Sequence, residues 1–313
     1  MRNNFKLSLV IPCYNEEDNI SFLYENIITY IKEYSYEILF INDGSTDKTL
    51  SEIKTLSEKY QNIKYISLSR NFGHQNALKA GYDNSSGDCV ISLDADSQHP
   101  AYLIKDMIAK WQDGYDVVYT IRNDNNARFI KKYSSKLFYK LINKLSNTEI
   151  HQGAADFRLL DKTVINEIRK LNENYLFIRG LISWVGFKQI AIHYTPEERH
   201  TGKTKYSTKK MLNLASSGIT SFSTTPLKFS IYLGFFIAIF AFLYALYAIY
   251  IASFTSKALP GWTSTIVSIL FIGGIQLFMI GILGEYLGKL FIENKRRPNY
   301  IIQENNLDIN KHD

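Results

Sequence analysis

Two uncharged runs near the C-terminus limit this chain more than any other feature. No Asp, Glu, Lys or Arg occurs from Phe229 to Ser256, and none from Ala258 to Gly284. Each run exceeds the roughly 20 apolar residues that carry a helix across a bilayer. A soluble core rarely holds two such runs in succession, so they predict a membrane hairpin with spans at about 229–252 and 262–285. The whole-chain mean hydropathy of −0.15 conceals this. Everything before about residue 228 reads as a soluble protein. Lys203, Lys205, Lys209, Lys210 and Lys228 precede the first run, and Lys289, Lys295, Arg296 and Arg297 follow the second. Only Lys257 lies between them. The positive-inside rule then predicts an integral protein of the cell (inner) membrane, with both termini and the soluble part cytoplasmic. The polar start, Met1 to Lys6, does not read as a secretory signal.

The soluble part alternates short apolar runs with helical patterns. Leu7–Pro12, Glu37–Asp43, Ile63–Ser69, Val90–Leu93 and Asp116–Ile121 read as strands. Helices are expected from a cap at Asn15 or a neighbour to about Tyr34, near His74–Asn84, and over about Ala101–Gln112. A later strand is expected near Gln189–Tyr194. Near-continuous apolar strands alternating with helices predict an α/β fold, a mostly parallel sheet covered on both faces. Phe129 to Leu145 reads as an amphipathic helix with Lys131, Lys132, Lys136, Lys140 and Lys144 between its apolar positions. It suits either a domain surface or an anionic membrane interface. Cys13 and Cys89 both fall in strands and read as small core residues.

The ends of those strands carry the chemistry. The first runs into Asn15, the second into Asp43, the third into Arg70, the fourth into Asp94 and Asp96, the fifth into Arg122. In an open α/β sheet, ligands bind beyond the carboxyl ends of the strands. Asp94 and Asp96 flank one alanine, and alternate residues of an extended chain share a face. Two hard carboxylates there suit Mg²⁺ or Mn²⁺ held mostly by substrate phosphates. Such a pair alone is commonly just a turn cap; the buried strand before it and the other strand-end charges favour a pocket. No Gly-x-Gly-x-x-Gly follows the first strand, which disfavours a dinucleotide oxidoreductase. The net charge of +6 and pI near 9.0 admit an anionic membrane or a phosphorylated substrate. Nucleic acid ranks last, since no motif for it is present. Arg199 to Ser207 is a basic, glycine-containing loop, suited to a phosphate or to lipid headgroups.

Taken in order, these stretches resemble family 2 inverting glycosyltransferases of GT-A fold, and within them the polyprenyl-phosphate branch of bactoprenol glucosyltransferases and dolichol-phosphate mannose synthase. The resemblance rests on Val10-Ile11-Pro12 with Asn15-Glu16-Glu17, Asn42-Asp43-Gly44-Ser45, Arg70-Asn71-Phe72-Gly73, Asp94-Ala95-Asp96 with Gln98, Asp156-Phe157-Arg158-Leu159, Arg179-Gly180, Gly202-Lys203-Thr204-Lys205-Tyr206 and Gly284-Glu285-Tyr286-Leu287-Gly288. It departs at Cys13, at Ala154-Ala155 before Asp156, and at Thr204.

The resemblance implies sugar transfer from a nucleotide-sugar, UDP-glucose first, to a polyprenyl (undecaprenyl) phosphate. Pro12, Tyr14, Asn15, Glu16, Asp43, Arg70, Asp94, Ala95, Asp96 and Gln98 would bind the donor, with Asp43 at the base. Asp94 and Asp96 would hold the metal, and Asp156 would orient the site or act formally as base. Arg122, Arg158, Arg199, Lys203 and Lys205 would meet the acceptor phosphate. The implied layout is a GT-A domain at 1–200, a basic interfacial segment at 201–228, the hairpin at 229–288 and a tail at 289–313. Another lipid or glycan acceptor, or a non-catalytic scaffold with this fold, are the competing readings. The spans and the Phe129–Leu145 helix offer surfaces for self-association without fixing a copy number.

Overall fold

The computed structural model describes residues 4–122, 154–174, 176–195, 225–254 and 261–307. The Phe129–Leu145 helix, the Arg199–Ser207 loop and the segment from Lys209 to Phe222 lie outside them. The described chain divides into two compact units, a globular one and one comprising mainly residues 219–296.

The globular unit is built on one sheet of eight strands: β1 (Lys6–Cys13), β2 (Ser35–Asn42), β3 (Ile63–Leu68), β4 (Cys89–Ser92), β5 (Val117–Arg122), β6 (Ala154–Asp161), β7 (Gln189–Tyr194) and β8 (Ile302–Asn305). Their order is β7-β5-β6-β4-β1-β2-β3-β8. β1 pairs in parallel with β2 and β4, β2 with β3, and β5 with β7. β6 runs antiparallel between β4 and β5, and β8 runs antiparallel along β3. Six strands therefore end at one edge, and β6 begins there. This inserted strand is what brings Asp156, its third residue, to the same edge as Asp94.

Helices α1 (Ile20–Ile31), α2 (Thr49–Lys59), α3 (His74–Asn84), α4 (Leu103–Gln112), α5 (Lys162–Lys170) and α6 (Ile178–Trp184) complete the unit. Ile20, Leu23, Ile27 and Ile31 of α1 join Ile104, Met107, Ile108 and Trp111 of α4 in one core. Ala77 and Leu78 of α3 join Val164, Ile165 and Ile168 of α5, with Ile178 and Ile182 of α6, in the other. Each fully buried aliphatic side chain in these cores stabilises the fold by about 1.5–3 kcal/mol. α3 lies very close to β1: a Cβ on Gly81 would stand 2.1 Å from Val10 Cγ1.

Two expectations need correction. α1 starts at Ile20, not at an Asn15 cap. Asn15 instead adopts a left-handed backbone (φ 54°), and the next turn is used up in loop contacts. The sheet is mostly parallel, as expected, with only β6 and β8 running against the rest. The expected C-terminal tail contains β8, and it is sewn to the sheet: Tyr300 donates to Asp83 at 3.0 Å, and Lys54 pairs with Glu304 at 2.8 Å.

The second unit carries α7 (Thr225–Phe254) and α8 (Trp262–Asn294), each longer than its expected span. Both are long and apolar enough to cross a membrane, and their most apolar stretches are not buried within the protein. Phe235, Phe240, Leu277 and Ile280 lie exposed on them. Exposed apolar surface on that scale needs a nonaqueous neighbour. Gly234 of α7 faces Met279 of α8, whose Cε would lie 3.6 Å from an added Cβ.

Candidate active site

The site opens where β1 and β4 stop pairing. Leu93 N–H donates to the Val10 carbonyl at 3.1 Å. The next bond of a parallel ladder would run from residue 12 to the Leu93 carbonyl. Residue 12 is proline and has no N–H to give. The two strands part there, at the point where strand order reverses, and Asp94 follows outside the ladder.

Asp94 meets two imidazoles. His99 Nε2 lies 3.1 Å from its Oδ2, and His74 Nε2 lies 3.5 Å from its Oδ1. His74 opens α3, and the same nitrogen lies 3.3 Å from Asp156 Oδ2. It thus bridges a carboxylate on the β4 loop and one on β6. Burial opposes a charge on His74, but the hydrogen bond to Asp156 and the charges of Asp94 and Asp156 outweigh it and raise its pKa to about 9. Asp94 is held below its ordinary value: burial pushes it up, and His99 and His74 more than reverse this.

Asp156 has the strongest partner. Arg179, the second residue of α6, donates from Nε to Oδ1 and from Nη2 to Oδ2, both at 2.8 Å. Burial raises the Asp156 pKa, but Arg179 and His74 hold it well below the carboxylate range. Arg179 was not singled out for this role from the sequence. Its only signal was the Arg179-Gly180 pair within the resemblance.

Other expected residues fall around this centre with altered tasks. Asp96 is partly exposed and accepts the Gln98 N–H at 3.2 Å. Ala95 is buried between the two acids. Gln98 accepts from Arg122 at 3.3 Å, which puts Arg122 beside the Asp94–His99 loop. Arg158 is buried: its side chain is 4% exposed, and Nη2 donates to the Ala155 carbonyl at 2.7 Å and lies 3.5 Å from Asp156 Oδ1. It supports Asp156 from within. Asp43 is likewise buried, 3% exposed, and accepts from the Phe72 and Gly73 N–H groups at 2.7 and 2.9 Å. It holds the Arg70–Gly73 loop. Burial raises its pKa even so.

The loop after β1 is fixed to the loop after β2. Asn15 N–H donates to Ser45 at 3.0 Å, Thr46 N–H donates to the Asn15 side chain at 2.9 Å, and Glu16 N–H donates to Thr49 at 2.8 Å. Gly44 has φ 64°, and a Cβ there would strike the Arg70 carbonyl carbon at 2.4 Å, so only glycine fits. Tyr14 is exposed above this pair, and the Arg70 guanidinium lies 4.0 Å from the Phe72 ring centre. Arg199, Lys203 and Lys205 lie outside the described residues.

A divalent cation fits the donor set in a limited way. Asp94 and Asp96 supply hard oxygens from one loop. Asp94 has both oxygens turned to imidazoles, so Asp96 is the better placed of the two. Among the described residues no three His, Cys, Asp or Glu side chains converge as a metal cage. A cation here would draw its remaining ligands from a bound phosphate.

Residues 225–290 match the GtrB C-terminal hairpin. The prophage bactoprenol glucosyl transferase homolog of Escherichia coli (strain K12) is 43% identical over 301 residues, 95% of this chain and 98% of that protein. The bactoprenol glucosyl transferase of Shigella phage SfV shows the same identity and the same coverage. The uncharacterized glycosyltransferase YkcC of Bacillus subtilis (strain 168) is 42% identical over 97% of this chain and 95% of its own. Among solved structures, glucosyl-3-phosphoglycerate synthase from Mycobacterium tuberculosis, in complex with Mn²⁺, UDP-glucose and phosphoglyceric acid, aligns with a TM-score of 0.46 and 15% identity over 69% of this chain and 77% of that one. Residues 8–169 match glycosyl transferase family 2, and the chain, a glycosyltransferase, belongs to that family.

Proposed function

We propose that this glycosyltransferase moves a sugar, glucose from UDP-glucose in first place, onto a polyprenyl phosphate at the cytoplasmic face of the membrane. The observation that carries the reading is the convergence of Asp94, Asp96 and Asp156 at one sheet edge, in a chain that also bears two membrane-length apolar helices. Relatives named for bactoprenol glucosyl transfer, aligned over nearly the full chain, support the choice of sugar and acceptor.

The donor side is assigned to the loop from Tyr14 to Glu16, the Arg70–Gly73 loop and the Asp94–Gln98 loop. Mg²⁺ or Mn²⁺ on Asp96, when bound with the donor diphosphate, would offset the charge of the leaving nucleotide. The acceptor is a phosphate monoester with a second pKa near 6, so at neutral pH it arrives mostly as a dianion. It needs little help from a base. Asp156, clamped by Arg179 and kept ionised, is poorly suited to take a proton and well suited to hold His74 and Arg179 in place. Arg122, with the basic residues Arg199, Lys203 and Lys205, is assigned to the acceptor phosphate. Attack opposite the leaving group inverts the anomeric centre. Holding both reactants in line accounts for much of the acceleration such a site must supply.

Lys228 before the first span and Lys295, Arg296 and Arg297 after the second support two crossings with both ends cytoplasmic. The test is transfer of radiolabel from a panel of UDP- and GDP-sugars into organic-extractable lipid, with purified protein, undecaprenyl phosphate and Mg²⁺ or Mn²⁺. Label from one donor, abolished by EDTA, is the expected result. No label from any donor with folded protein would move the reading to another acceptor.

A further inference from the structure

We infer that Tyr194 and His99 form a fixed hydrogen-bond line that sets the orientation of Asp94, making both of them positioning residues for the transfer. The inference deepens the proposed function and rests on it for its kinetic part.

The line runs inward from the last residue of β7. Tyr194 Oη lies 3.0 Å from His99 Nδ1, and His99 Nε2 lies 3.1 Å from Asp94 Oδ2. An ionised carboxylate only accepts hydrogen bonds, so Nε2 carries the proton that faces it. In the Nε2–H tautomer Nδ1 accepts, and the Tyr194 hydroxyl is the donor. One tautomer satisfies the whole line: Tyr194 O–H to Nδ1, Nε2–H to Asp94.

The surroundings leave this line little freedom. His99 is 7% exposed and Tyr194 3%, so water has scant access to replace either bond. The His99 ring lies 5.0 Å from the Phe157 ring, centre to centre. Phe157 sits beside Asp156 on β6, so the residues flanking both carboxylates pack together. A second tie reaches the same loop from the same place: Arg122 stands opposite Tyr194 in the β5–β7 register and donates to Gln98. Neighbouring positions of two strands therefore hold neighbouring residues of the Asp94–His99 loop.

The purpose follows from what Asp94 lacks. It stands beyond the end of β4, outside the ladder, where backbone pairing no longer fixes it. A buried imidazole with one tautomer supplies the missing constraint, and imidazoles used this way are typically oriented by the bond on their far nitrogen. His74 approaches the other oxygen, from α3.

Three variants of the full-length protein test the inference: Tyr194→Phe, His99→Gln and His99→Phe. Gln can place an amide N–H near the Nε2 position; Phe fills the space with no donor. Tyr194→Phe is expected to lower kcat about tenfold, the worth of one bond in a charged line, with donor KM changed by less than about threefold. His99→Gln is expected to keep measurably more kcat than His99→Phe at matched melting temperature. Nitrogen-15 NMR of histidine-labelled protein, with the His99 signal identified by its loss in His99→Gln, is expected to show the Nε2–H tautomer. That signal should change in Tyr194→Phe. A kcat in Tyr194→Phe within about twofold of the natural protein, equal losses in the two His99 variants, or an unchanged ring signal would each overturn the inference. If the natural protein itself transfers no sugar to polyprenyl phosphate, the functional reading fails, and the NMR arm still decides on the line.

Discussion

Arg179 grips Asp156 through two parallel bonds, Nε to Oδ1 and Nη2 to Oδ2, each 2.8 Å long. The guanidinium fork matches the carboxylate edge in a way an ammonium cannot. Arg179→Lys keeps the charge and loses the fork. We expect kcat/KM to fall by roughly tenfold to a hundredfold, about 1.4–2.7 kcal/mol of transition-state stabilisation, with the melting temperature little changed. Steady-state transfer assays on purified Arg179→Lys and Arg179→Gln would check this; equal activity in Arg179→Lys would remove the fork from the account.

Asp156 stays ionised across the working range because Arg179 and His74 hold its pKa well down, against burial. Its own titration therefore cannot shape the rate near neutrality. The acid limb of kcat should instead follow the second ionisation of the acceptor phosphate, near 6, with the rate falling as pH drops below it. A phosphonate acceptor of shifted pKa would move that limb, whereas a limb that ignores the acceptor would point to a protein group.

Asp96→Asn should abolish transfer while leaving the protein folded and membrane-bound. The carboxamide keeps the shape and loses the hard anionic oxygen a divalent cation needs. Near-normal turnover in Asp96→Asn, at saturating Mg²⁺ or Mn²⁺, would sink the metal assignment.

Glu37 gives the fold an acid-sensitive staple. Burial would raise its pKa, but Lys6, Ser8 and Ser86 together outweigh that and lower it. Lys6 Nζ stands 2.8 Å from Oε2, and the Ser86 N–H donates to Oε1 at 2.7 Å. Because the folded value lies below the unfolded one, the stabilisation is present above about pH 4.5 and is lost as pH falls through the folded value. Glu37→Gln should cost about 1–3 kcal/mol at pH 7. Denaturation at pH 7 and at pH 4 should show the gap between the two proteins narrowing in acid; a constant gap would mean the loss is not ionic.

Ending the chain at Leu307 should be tolerated, while ending it at Pro298 should not. The shorter chain loses β8, the Lys54–Glu304 pair and the Tyr300–Asp83 bond. It also bares the β3 edge, an invitation to aggregate. Size-exclusion profiles in detergent would separate the two cases.

Much of this frame is legible in the sequence, and the exceptions share a cause. α3 and β7 fall on their expected bounds because their patterns are local. The direction of β6 is not local: a parallel and an antiparallel strand with the residues Ala154–Asp161 look alike until neighbours are known. β8 is four residues, Ile302 to Asn305, with one apolar side chain, an acid and two amides, too little to mark it as a strand. Asp94 and Asp96 are readable from their strand end, and Asp156 from the resemblance. Their partners are not, since His74, His99 and Arg179 come from 20, 5 and 23 residues away along the chain from the carboxylates they serve. Asp43 and Arg158 have buried partners that only packing reveals: Asp43 accepts from the Phe72 and Gly73 N–H groups, and Arg158 donates to the Ala155 carbonyl.

Pro12 makes an opening by leaving something out. A donor at that position would let β1 and β4 zip one step further and draw Asp94 into the sheet. The crevice is thus a vacancy in the hydrogen-bond pattern, set by an imino acid on β1. A chain designer wishing to widen or close such a cleft would edit the ladder, one backbone donor at a time, before altering any side chain within it.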